Sequence, residues 1–207
     1  MMFTNYSAIL AFIGGAVALP HPQGLPFLPG AGPKFPTNVT CGEVNVFYTG
    51  FTAYHPYVLA QGLQGAEVDP RLRNGTASLI KAGYNVRVLF QGPEQPVSNI
   101  ADRMKGTRWD VDAQGMGLRG YGNATATRVF EDNLYQFQKS APNAPTVFNW
   151  GPDSFGEAII RRIPLRDDCT NRPGKLIAYE EICDPSVCEK VTVILDGDMD
   201  KLLEGIN

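Results

Sequence analysis

His21 and His55 are the only two imidazoles in the chain, and only His55 stands among residues that could use one. An imidazole works as a general base when a carboxylate holds it within hydrogen-bond reach. Glu94 and Asp153 are the carboxylates expected on neighbouring loops, so a hydrolase working through His55 is one reading. Ser154, within Gly151-Pro152-Asp153-Ser154-Phe155-Gly156, sits between a strand-like and a helix-like run. That stretch has one residue too many for G-x-S-x-G, and in the order of those hydrolases a His follows the Ser. No His follows Ser154. A serine without a base is a poor nucleophile, so Ser154 reads as a helix cap, with Glu157 completing a capping box.

Three further motifs touch on ligands. Gly115-Met116-Gly117-Leu118-Arg119-Gly120 fits G-x-G-x-x-G, but the dinucleotide fingerprint follows the first strand and needs an acid at the end of the next. Here the next strand ends in Asn149-Trp150, which leaves a tight glycine turn with Arg119 free to meet an anion. Thr49-Gly50-Phe51-Thr52 resembles the flavodoxin phosphate loop, which implies Thr49 and Thr52 as a phosphate cradle. Phe47 stands where that family prefers Ser or Thr, and Pro56 interrupts the helix that should face the phosphate. Asp196-Gly197-Asp198-Met199-Asp200 opens like a calcium loop, but Lys201 replaces the turn glycine and Asn207 the bidentate Glu. No cofactor and no metal are expected.

These residues need a frame. The hydrophobic period predicts strands at 44–48, 85–90, 109–115 and 145–150, with a possible fifth at 191–195. Helices fall between them. One opens on Asp69-Pro70 as N-cap and N1 and stops at Gly83, a second carries Ile100 and Met104, a third Val129 to Phe137, a fourth Phe155 to Ile163. Strands alternating with helices give a parallel sheet covered on both faces. The expectation is a single three-layer α/β domain, flavodoxin-like or Rossmann-like, over 41–163, followed by a cysteine-containing tail at 164–207. Asp112, inside the third strand, must be paired, lie at the sheet edge, or hold a raised pKa. In such a sheet the loops after the strands gather along one edge. They bring Thr49, Thr52, His55, Glu94, Arg119, Trp150 and Asp153 together as the candidate ligand-binding set. Ordinary loop packing is the alternative.

The 207 residues are 43% hydrophobic and 19% charged, with 18 Lys and Arg against 21 Asp and Glu. That balance suits a folded domain and argues against nucleic acid as partner, which needs a concentrated basic surface. Residues 1–18 hold no charged side chain and end in Ala16-Val17-Ala18, a signal peptide with cleavage expected before Leu19. Its apolar run is too short for a membrane span, and no membrane role is expected. A Pro/Gly-rich extended segment follows at 19–40. Sequons at Asn38, Asn74 and Asn123 and an even set of cysteines (Cys41, Cys169, Cys183, Cys188) fit a secreted, extracellular glycoprotein with two disulfides, three pairings being open.

Gly92-Pro93-Glu94-Gln95-Pro96, the glycine turn at 115–120, Phe130-Glu131-Asp132, Pro173-Gly174-Lys175 and Tyr179-Glu180-Glu181-Ile182-Cys183 resemble a group of small fungal α/β, flavodoxin-like proteins with no assigned activity. The resemblance spans roughly residues 84–188; it implies the fold and supplies no catalytic residues. The functional expectation is a non-catalytic binder of a small ligand, an extracellular protein or a cell-wall component. A hydrolase using His55 with a carboxylate is the alternative, and a flavin or nucleotide binder comes third.

Overall fold

The four alternating runs become β1 (Asn45–Gly50), β2 (Asn85–Gln91), β3 (Val111–Gln114) and β4 (Thr146–Phe148), joined by β5 (Leu176–Ile182) and β6 (Val193–Ile194). The helices are α1 (Pro56–Leu59), α2 (Gly65–Lys81), α3 (Ser98–Met104), α4 (Met116–Gly120), α5 (Ala124–Ser140), α6 (Phe155–Ile160) and α7 (Met199–Leu203). The computed structural model describes residues 35–36 and 38–206; the expected leader and most of the Pro/Gly-rich segment lie outside the described residues.

One six-stranded sheet has the order β4-β3-β1-β2-β5-β6, all neighbours parallel except β5 and β6. Val46, Tyr48, Val88, Phe90, Ala113 and Val147 face one side, under α2, α6 and α7. Phe47, Leu89, Ile100, Met104, Trp109 and Phe137 pack on the other, under α3 and α5. Three layers form because a parallel sheet must be covered on both faces. Chain moves from β1 to β2 and from β4 to β5 run over the first face; moves in the opposite direction, β2 to β3 and β3 to β4, run over the second. The four crossovers therefore share one hand.

The order differs from the flavodoxin arrangement after four strands. β2-β1-β3-β4 matches 2-1-3-4, but β5 returns to the far edge beside β2 instead of extending past β4. The disulfide Cys41–Cys169 ties the segment before β5 to the segment before β1, where the chain has returned to the start of β1 and β2. The second disulfide, Cys183–Cys188, closes the turn after β5. Residues 164–207 are accordingly not a tail: they supply one interior strand, the edge strand β6 and α7, and no structural boundary falls at 163.

Helix α2 begins at Gly65, not at Asp69-Pro70. Pro70 is tolerated inside it, and Asp69 is buried in a bidentate pair with Arg73 at 3.0 and 2.9 Å. Arg73 also donates to the Leu202 and Glu204 carbonyls, tying α7 to α2. Removing one partner of such a buried pair costs about 3–5 kcal/mol, because the other charge stays buried alone. The capping box at Ser154 does not form either. Its hydroxyl accepts from the Trp150 and Gly151 N–H groups, at 2.9 and 3.0 Å, and so fixes the turn before α6.

Asp112 settles the conflict noted in the sequence. It lies on an interior strand, buried, with both carboxylate oxygens unpartnered among the described residues. Burial pushes its pKa up to about 8.

Candidate functional site

Connections leave β1 and β3 in opposite directions, so a crevice opens beyond their C-terminal ends, the usual ligand position in open α/β sheets. It is a cleft of about 270 Å³, walled by Phe51, Val58, Leu72, Phe90, Met116 and Trp150. Polar groups are few. The Asn149 amide accepts from Met116 N–H at 2.7 Å and donates to the Tyr48 hydroxyl at 3.1 Å and the Gly151 carbonyl at 2.8 Å. One side chain thus clamps the ends of three strands and forms the floor. Burial holds the Tyr48 phenol well above its ordinary pKa, so it stays neutral against Asn149. An apolar cavity with a few fixed polar groups is the usual form of a small-molecule site. A larger hollow of about 370 Å³, between Arg108, Trp109, Ser140 and Pro142, lies at the opposite edge of the sheet, between the loops that lead into β3 and β4.

Beside the cleft, Phe51 stacks on His55 with ring centroids 5.5 Å apart. The His55 imidazole is buried and occupied at both nitrogens. Nδ1 accepts from Tyr57 N–H at 3.1 Å, which makes His55 the N-cap of α1. Nε2 faces the Glu94 carboxylate at 3.3 Å. Burial lowers its pKa, against the opposing pull of Glu94, so the neutral tautomer carries its proton on Nε2. With the only lone pair given to Tyr57, no free base remains.

His55, Glu94 and Cys183 lie close enough together to hold a metal ion. The Cys183 sulfur is bonded to Cys188, however, and His55 has no lone pair to spare. The donor set therefore does not suit a cation while the disulfide stands.

The candidate residues separate into four places. Thr52, His55 and Glu94 gather around Cys183–Cys188, with the Thr52 hydroxyl 3.2 Å from the Cys188 sulfur. Trp150 and Arg119 adjoin the cleft; the Arg119 guanidinium donates to the Asn149 carbonyl at 2.7 Å and lies over the Phe148 ring. Asp153 points away, exposed, toward Arg71 at 3.5 Å. Thr49 is buried in the sheet and donates to the Leu89 carbonyl at 2.6 Å. Neither threonine hydroxyl is turned to a phosphate, and no Lys or Arg lines the cleft among the described residues. Sequence reasoning missed the first turn of α2, with Val68 on the cleft wall, because Asp69-Pro70 marks a start that lies inside the helix. The apolar spacing of Val68 and Leu72 was the available signal.

The sequon asparagines Asn38 and Asn74 are exposed. Asn123 caps α5 through Oδ1, leaving its amide nitrogen, the atom a glycan would take, outside the cap.

The chain matches no family model, no curated protein and no solved structure.

Proposed function

We propose that the protein is a non-catalytic binder that takes a small, flat, largely apolar ligand in the cleft between the ends of β1 and β3. The carrying observation is the composition of that cleft: aromatic and aliphatic walls with two oriented amides, Asn149 and Gln61, and no cation and no nucleophile–base pair aimed into it among the described residues. The sequons, the leader-like start and two disulfides support placement outside the cell. A hydrolase reading finds its carboxylate in Glu94 but no lone pair on His55 to take a proton, and so stands second. A flavin or nucleotide binder stands third, since Thr49 and Thr52 spend their hydroxyls elsewhere.

The test is a thermal-shift screen of the whole protein against aromatic acids, flavins, nucleotides and sugars, with Trp150 fluorescence as second readout. A ligand at ~100 times its Kd adds about 2.7 kcal/mol, enough for a shift of several degrees. Gly117→Leu should abolish the shift without unfolding the protein. A Cβ there meets nothing closer than 3.8 Å, and a longer side chain would fill the cleft. A ligand that binds this variant unchanged sits elsewhere and removes the reading.

A further inference from the structure

Among the described residues, the edge strand β6 leaves one line of backbone unpaired. Tyr179 pairs with Ile194 and Glu180 with Val193, while Glu181 N–H bonds the Thr192 carbonyl. Thr192 and Ile194 thus turn their backbone groups toward β5. Alternation turns those of Val193 outward, and the same alternation continued past β6 turns those of Val191 and Leu195 outward as well. The side chains of these three are exposed and share the face opposite Ile194. An open edge is normally protected against pairing with another chain by Lys, Pro, a bulge or shortness, and of these β6 has only its two-residue length. Residues 191–195, Val-Thr-Val-Ile-Leu, carry neither Lys nor Pro.

The charges flanking that run are arranged for a particular partner. Lys190 precedes it and Asp196 follows it, both about half-exposed, with Lys190 reaching Asp69 and Asp196 reaching Lys201 within the chain. In an antiparallel pairing of two identical strands about a dyad at Val193, residue numbers opposite one another sum to the same value. Val193 then meets Val193, Val191 meets Leu195, and Lys190 meets Asp196. Lys190 and Asp196 share the parity of Ile194, so both pairs fall on that strand face, while the aliphatic pairs fall on the other. Cross-strand pairs of these kinds are stabilising, and the reverse charge pattern would repel.

We propose that β6 is a self-association surface, and that two copies of this chain join edge to edge about a dyad at Val193 into a continuous twelve-stranded sheet, 2 × 6. The interface is isologous and closed. Each Val193 exchanges both backbone bonds with its counterpart, and Lys190 of each copy faces Asp196 of the other.

Sedimentation equilibrium of the full-length protein over a concentration series tests this directly. A reversible dimer is expected, and amide exchange at Val191, Val193 and Leu195 should slow as concentration rises. Val193→Lys sets two ammonium groups face to face at the dyad and should raise the dimer Kd by about tenfold or more. Lys190→Asp alone should weaken the dimer, whereas Lys190→Asp with Asp196→Lys restores the opposed charges and should recover it. The recovery separates a lost interface from a damaged fold, because Lys190 also reaches Asp69 within its own chain. A wild-type protein that stays monomeric throughout, or a dimer indifferent to both Val193→Lys and the charge exchange, overturns the proposal.

Discussion

A Cβ placed on Gly83 would lie 2.6 Å from the Cys169 sulfur. The glycine also holds φ +100° as it ends α2, so two independent constraints exclude a side chain there. Gly83→Ala is expected to cost about 2 kcal/mol or more. Gly106, at φ +78° with nothing within 4 Å of where a Cβ would stand, supplies the comparison: Gly106→Ala should cost about 1 kcal/mol. Equal losses in urea melts would mean that packing on Cys169 contributes nothing.

The Cys41–Cys169 bond closes a separation of 128 residues, against 5 for Cys183–Cys188. On chain entropy alone the long loop is worth about 5 kcal/mol and the short one about 2 kcal/mol. The Cys41→Ser/Cys169→Ser protein should therefore melt well below the Cys183→Ser/Cys188→Ser protein. The opposite ranking would place the stabilisation in local contacts around Thr52 and His55.

Two buried acids give stability a pH slope of known sign. Burial raises Asp112 to about 8 and Glu181 to about 7, the latter opposed by Thr192 N–H. Each folded-state value exceeds its unfolded value, so the stabilisation is complete at low pH and is lost as pH rises through the folded pKa. The melting temperature should fall between pH 5 and about 8. Asp112→Asn and Glu181→Gln should each flatten part of that fall. A slope unchanged in the double variant would assign it to other groups.

His55 acts as a cap, and its pKa is lowered by burial, so its contribution has the opposite sign: present above the unfolded value of 6.5, lost as pH falls through the folded one. His55→Ala should cost about 1 kcal/mol from the lost cap alone. His55→Asn, which can still accept from Tyr57 N–H, should recover part of it. Equal losses in both variants would place the effect in the Phe51 stack or the Glu94 contact.

The first four strands and most helices could be read from the sequence because each carries its own period. Ile100 with Met104, and the stop at Gly106, fall where spacing put them. β5 was invisible because adjacent acids, Glu180 and Glu181, break the apolar run. They are tolerated because they face opposite layers: Glu180 meets Arg103 at 2.6 Å and Arg87 at 3.7 Å, while Glu181 accepts from Thr192 N–H. The start of α2 is hidden because Asp69-Pro70 imitates an N-terminus; only tertiary pairing with Arg73 shows otherwise. At the site, sequence named His55, Glu94 and Trp150 but could not tell that His55 would spend its lone pair on Tyr57. That depends on a single backbone turn.

The late arrival of β5 bears on biosynthesis. A chain emerging N-terminus first can pair β1 through β4 while the open side of β2 still waits for residues 176–182. During that interval Arg87 holds that margin without Glu180, its later counter-charge. A chain cut before residue 176 is expected to leave that edge of β2 bare, with Arg87 as its charged residue.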